Sequence, residues 1–347
     1  MKRVMKIISN PLFVLLLFLI HSLAFSVSYK NFNSYKQQIK LFKDLNAADY
    51  SNTPSEFYNN IENEIPNLTF TSVPIKALKA MYFLENEPDS LNYVKSLLKK
   101  SIIDNPFLKF SEGNLSQIYY AQRNYDSAYY FAREAFKGLP KNAVHFAMIA
   151  KLYANQSKID SIIFTFKKIN TRPLVDINRV FFASMNNFYL DLNDSLKKYV
   201  FNEAINAKNN FRKDKDLQFL VDNIIYSKDS VNLALELEKK GEKLLANQNW
   251  VEGIENYLRA LEIRENYLPY IQTIGLSYFN LKEHQKSIDY FELFIKNGAD
   301  LDPISLYVMG INKYNTKKYE EACQYLDRAR KFGQKDAEVA YLRYCKS

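Results

Sequence analysis

Cysteine, histidine, tryptophan and glycine are scarce in this chain. Its 347 residues hold two cysteines, three histidines, one tryptophan and eight glycines. Two cysteines exclude a disulfide-dense scaffold and a cysteine metal cluster. His21, His145 and His284 are too widely scattered to predict a base–nucleophile or metal-binding group. No glycine-rich phosphate loop, His-Glu-x-x-His or Cys-x-x-Cys motif occurs. The expectation is a protein that is not an enzyme, with no catalytic residue, no metal, no cofactor and no evident small-molecule substrate. With only ten prolines beside the eight glycines, breakers are few, which predicts a mostly helical chain.

Charge is plentiful but undirected. Lys and Arg number 47 against 38 Asp and Glu, a net charge of +9. Lysines and glutamates alternate along the helical segments without a dense basic run. That pattern reads as solvated helix faces and predicts no nucleic-acid partner.

One stretch lacks charge altogether. Lys2, Arg3 and Lys6 precede an uncharged run from Pro11 to Val27, close to the roughly 20 residues that span a bilayer. It is longer than the core of a typical secretory signal, though Ala24 and Ser26 leave a cleavage site open. Two readings follow: a single-pass inner-membrane anchor with the rest of the chain periplasmic, or a periplasmic protein after signal cleavage. The lysines after the run, from Lys30 to Lys43, do not fix the orientation. The membrane is thus an expected partner through the N-terminal helix.

What the chain does have is a repeat. Gly241, Gly275 and Gly310 recur at 34 and 35 residues. Each is followed after nine residues by Trp250, His284 or Tyr319, and after twelve by Gly253, Ser287 or Ala322. A period of 34 is that of a helix–turn–helix unit stacked in series. Two antiparallel helices that approach closely need small residues where their backbones cross. The glycines are expected there on first helices, and Gly253, Ser287 and Ala322 on second helices. The rings are expected to fill space between neighbouring pairs. A weaker copy of the scheme runs earlier: Leu91, Val94, Ser101 and Pro106 return 34 residues later as Tyr125, Ala128, Ala135 and Pro140.

The resulting division is a basic N-terminus (1–10), an anchor or signal segment (11–28) and a helical or polar linker (29–72). An N-terminal array (73–210), a spacer helix (211–228) and a C-terminal array with a terminal cap helix (229–347) follow. Thr53, Pro54 and Glu56 predict a helix start within the linker. Cys323 and Cys345 fall on helices expected to lie side by side. They read either as two buried thiols or, in an exported domain, as a pair.

This pattern resembles the tetratricopeptide repeat. The small, aromatic, small, late-alanine and proline positions match that family, with Ala260 and Ala329 at the late-alanine site and Phe294 departing from it. The resemblance implies an all-α fold, a helix–turn–helix solenoid in two arrays behind one transmembrane or signal helix. It also implies action by protein or peptide binding on the face lined by first helices. The inward positions there are Gln272, Leu276 and Phe279, then Tyr307, Ile311 and Tyr314, with Leu235, Glu238 and Glu242 preceding them. A narrower resemblance joins stretches such as Ile65–Phe83 and Glu320–Gly333 to the repeat extension of bacterial O-antigen polymerase and ligase type membrane proteins. Those carry many membrane helices where this chain has one. That likeness therefore implies an accessory role in envelope polysaccharide assembly, and the broader one a membrane-anchored scaffold with an envelope protein as partner.

Overall fold

In a computed structural model of the chain, residues 11–47, 57, 61, 67–69 and 71–346 are described; Thr53, Pro54 and Glu56 lie outside them. The described residues hold helices and no strand, apart from one isolated antiparallel bridge between Leu68 and Pro74. The chain forms two compact units, 1–158 and 159–347.

The first unit opens with one long helix, α1 (Pro11–Ala47). No residue of its apolar run is buried, whereas Ser34, Gln38 and Leu41 are buried. These three follow the i, i+4, i+7 spacing of a single helix face, so only the C-terminal half of α1 docks. Leu41 joins a core with Ile75, Phe83, Leu98 and Leu115. The helices behind that core are α2 (Ile75–Asn86), α3 (Leu91–Asp104), α4 (Phe110–Ala121), α5 (Tyr125–Gly138) and α6 (Ala143–Asn155). Consecutive helices pack as hairpins, α2 on α3 and α4 on α5.

The second unit holds α7 (Ile159–Ile169), α8 (Val175–Phe188), α9 (Asp194–Asn210) and α10 (Lys215–Ile225). It continues with α11 (Lys228–Ala246), α12 (Trp250–Ile263), α13 (Leu268–Asn280), α14 (His284–Lys296), α15 (Pro303–Asn315), α16 (Tyr319–Lys331) and α17 (Lys335–Cys345). Hairpins α11/α12, α13/α14 and α15/α16 succeed one another, and α17 lies on α16.

One turn recurs at five of the helix junctions. Arg123, Ser157, Gln248, Lys282 and Lys317 all sit in the left-handed region, with φ between 55° and 65°. Each lies two residues before a new helix. In each case the next amide reaches back five residues, as in Asn124 to Tyr119, Asn249 to Leu244, Glu283 to Tyr278 and Lys318 to Lys313. This closes the helix in the manner of a Schellman motif, here without the usual glycine.

The small residues meet as expected. A methyl group on Gly310 would stand 3.3 Å from the Ala322 carbonyl, and one on Gly241 3.3 Å from that of Gly253. Between them in sequence, the Ser287 hydroxyl donates to the Gly275 carbonyl at 2.7 Å. The large side chain beyond each crossing belongs to the same hairpin: Gly241 faces Tyr257, Gly275 faces Phe291 and Gly310 faces Leu326.

The nine-residue aromatics behave differently from the expectation. Two of them pack edge-on within their own hairpin, His284 on Phe279 at 6.4 Å and Tyr319 on Tyr314 at 5.3 Å. The left-handed turn folds the chain so that residues five apart meet, which takes these rings before a neighbouring pair can. His284 also reaches the next hairpin, with Nδ1 2.8 Å from Asn312 Oδ1. Since Asn312 donates its amide to Ser287 Oγ, its oxygen is the acceptor and the imidazole carries the Nδ1 proton.

Hairpin α4/α5 repeats the same roles at one constant offset from α13/α14. Ser116 donates to the Ala128 carbonyl across the crossing. Tyr119 stacks on Phe131 as Tyr278 does on Tyr290, and Tyr120 meets Tyr125 as Phe279 meets His284. The crossing residue there is a serine, which the glycine pattern does not reveal.

Candidate functional site

The six positions singled out for partner binding lie on two helices with the spacing of one face. Gln272, Leu276 and Phe279 are on α13; Tyr307, Ile311 and Tyr314 are on α15. All six are half-buried. Gln272 Nε2 donates to Asp302 Oδ2 at 2.9 Å and to Ser305 Oγ at 3.1 Å, tying α13 to the start of α15. Leu276, Phe279 and Tyr307 lie against the core of Ile288, Phe291, Val308 and Met309. Tyr307 and Ile311 also border the core under α17. Tyr314 lies 4.2 Å, ring centre to ring centre, from Tyr344 of that helix. Burial, then Asp336 and Tyr344, push the Tyr307 phenol up, so it is a neutral hydrogen-bonding group at ordinary pH.

The preceding positions divide. Glu238 accepts a hydrogen bond from the Tyr270 hydroxyl at 2.8 Å, which turns it towards the interior, whereas Glu242 is exposed. Leu235 is half-buried. The first-helix face thus presents partly covered rings and amides that can bury further surface, with no nucleophile among them.

Two of the three histidines, His145 and His284, serve the packing. His21 rests its Nδ1 2.8 Å from the Leu17 carbonyl of its own helix. His145 is buried beside Gly113, whose missing side chain leaves room for the imidazole. Burial pushes its pKa down, against the opposing pull of the Leu139 and Ala135 carbonyls and Glu112. Among the described residues no three His, Cys, Asp or Glu side chains form a metal-binding group.

The two cysteines are bonded to each other, Cys323 of α16 to Cys345 of α17, with Cα atoms 5.7 Å apart. The pairing reading therefore holds over that of two free thiols. It pins the last helix, whose own buried residues are only Ala337 and Ala340.

Sequence reasoning did not find the buried charges of α10. Asp222 is fully buried and accepts from Lys208 at 2.7 Å and from Arg264 Nε at 2.9 Å. Arg264, 1% exposed, lies over the Tyr267 ring at 3.6 Å. The helix read as a spacer packs on α8 and α9, and this ion pair also ties it to the α12–α13 turn. The partners are 42 residues apart, so no local spacing announces them.

No protein family model and no curated protein matches the sequence. Solved structures do resemble it distantly. A tetratricopeptide repeat protein from Parabacteroides merdae is 12% identical, with a TM-score of 0.34, covering 78% of this chain and 98% of its own. The TPR2AB domain of yeast Sti1, in complex with an Hsp90 peptide, is 15% identical with a TM-score of 0.30, covering 68% and 98%. PilF of Pseudomonas aeruginosa is 11% identical with a TM-score of 0.27, covering 68% and 96%. Likeness at this level carries no function across. The fold is all-α, and the hairpins α4/α5, α11/α12, α13/α14 and α15/α16, each built on one left-handed turn, resemble those of tetratricopeptide repeats.

Proposed function

We propose that this protein is a membrane-anchored scaffold that binds a protein partner of the bacterial envelope with its repeats. The observation that carries the location is the Cys323–Cys345 disulfide on a chain that carries an exposed apolar helix near its N-terminus. Disulfides persist in oxidising compartments such as the periplasm and are rare in the cytosol. The helix of 37 residues runs without a break from the apolar segment into the docked face of Ser34, Gln38 and Leu41, which favours an anchor retained as part of the fold. The binding face is the one bearing Gln272, Leu276, Phe279, Tyr307, Ile311 and Tyr314. Aromatic rings beside amides suit an extended peptide or a partner helix.

Protease added to intact spheroplasts tests the topology. The expected result is loss of the repeats while a cytoplasmic marker survives. Repeats that resist until detergent is added would place the domain in the cytoplasm and end this reading.

A further inference from the structure

The repeat pattern is broken in two places, and the breaks meet. One is the α9–α10 corner, where the 34-residue phase is interrupted. The other is Phe294, which stands where sister hairpins have Ala260 and Ala329. Between them lies a cavity of about 250 Å³ with an apolar floor of Tyr267, Leu268, Pro269, Phe294 and Ala299. Its rim carries Arg212, Lys213 and Lys215. A second cavity, of about 330 Å³, adjoins it at Arg212 and Leu268 and adds Lys208 and the amides of Asn209, Asn266 and Asn297.

Asp214, set among these cations, is engaged elsewhere. It caps α10 by accepting from the Leu217 amide at 2.8 Å, and it pairs with Arg179. Across the opening, Arg212 Nη1 donates to the Asn297 carbonyl at 2.5 Å and Lys213 Nζ meets Asp300 at 2.7 Å. That last pair is exposed, 66% at Lys213 and 89% at Asp300. Exposed pairs of this kind contribute little, so an incoming carboxylate can take the place of Asp300. No ion pair of Lys215 is found among the described residues.

We infer that this cleft binds an acidic segment of a partner protein, seating one apolar side chain on the Leu268–Phe294 floor and its neighbouring carboxylates on Arg212, Lys213 and Lys215. The floor has room for one aliphatic or aromatic side chain, and the basic rim supplies the complementary charge. Asp300 and Glu265 at the margins oppose a densely charged polyphosphate. The inference rests on the scaffold reading and names a partner chemistry for a cleft that borders the ring-bearing face at Gln272.

A fluorescein-labelled, end-blocked Glu-Asp-Phe-Asp-Glu peptide, titrated against the full chain in detergent, tests it by anisotropy. Saturable binding is expected, weakening at least tenfold for the peptide with Ala in place of Phe and for the Gln-Asn-Phe-Asn-Gln peptide. The Lys213→Glu/Lys215→Glu protein should lose at least tenfold with an unchanged thermal melt by circular dichroism. Asp300→Asn should bind severalfold tighter. Absent saturation at millimolar peptide, equal binding of the neutral peptide, or indifference to the charge reversal would overturn the inference. Capture of an envelope partner in cells that persists despite such a result would leave the scaffold reading standing.

Discussion

Gly275 and Gly310 hold equivalent positions, yet they differ in tolerance. A methyl group on Gly310 would come within 2.7 Å of Leu326, whereas one on Gly275 meets the Phe291 ring at 3.2 Å. Alanine gains about 1 kcal/mol of helix propensity over glycine. Gly275→Ala is therefore expected to be near neutral, Gly310→Ala to lower stability by about 1–2 kcal/mol, and Gly275→Leu by about 1–3 kcal/mol or more. Urea titrations of the three variants check the order; an unchanged midpoint for Gly275→Leu would mean that the helices do not cross closely there. Lys282 offers the opposite case. Its φ of 61° strains any L-residue, most of all a β-branched one, so Lys282→Gly should match or exceed the parent in thermal stability and Lys282→Val should fall below it. His145 supplies the pH dependence. Its folded pKa is depressed by burial, while an unfolded histidine titrates near about 6.5. Below that pH the unfolded chain takes up a proton that the folded one resists, so stability present above about 6.5 is lost as pH falls. The melting temperature should drop less between pH 7.5 and 5.5 in His145→Gln than in the parent.

At the scale of elements, α10 and α17 are held by different means. Asp222 neutralises both Lys208 and Arg264 out of water, and Asp222→Asn would leave two cations without their acid. Removing one partner of a buried pair costs about 3–5 kcal/mol. The expected outcome is a loss of that order, read from the denaturation midpoint, with the α9–α10 region losing amide-exchange protection first. A change under 1 kcal/mol would show that water reaches the pair. The cap helix α17 depends on a covalent tie because alanines form most of its buried face. The bonded cysteines are 22 residues apart, a loop for which a crosslink contributes about 3 kcal/mol in the chain-entropy view. Cys345→Ser should therefore raise amide exchange across α17 and make the protein insensitive to dithiothreitol. Exchange that is unaltered by reduction would mean that the stacking of Tyr344 on Tyr314 and the ion pair of Glu338 in α17 with Arg330 in α16 suffice to hold the cap.

For the molecule as a whole, the binding reading is tested on the ring face. Replacing Phe279, Tyr307 and Tyr314 with Ser should abolish crosslinking to an envelope partner in the native cell. Buried anchor rings contribute about 2 kcal/mol or more each on truncation. Because Phe279 and Tyr307 border the cores under α15 and α17 and Tyr314 packs on Tyr344, the variant's helical circular dichroism and melt must accompany the result. Capture at the parental level with an intact fold would move attention to the first unit's helices.

The sequence by itself determined what recurs. A 34-residue phase of small residues is a local record of helix crossings, so the helix class, the hairpins and the facing of Gly310 on Ala322 were legible without coordinates. The uncharged run likewise announced a helix long enough to span a membrane, because hydropathy is a sum over neighbours. The six ring-face positions were chosen from helical spacing, and the structure adds how far neighbours cover each: Tyr314 is shared with Tyr344, and Gln272 is tied to Asp302. Where the nine-residue rings would pack was not legible, because it turns on left-handed φ at Lys282 and Lys317, where lysine gives no sign of it. The rest only tertiary structure decided. Whether Cys323 meets Cys345, whether Asp222 meets Arg264 and whether the α9–α10 corner meets Asp300 each depend on segments far apart in the chain. Pairings of that kind follow from how the helices stack, and no window of sequence contains both partners together with the geometry that joins them.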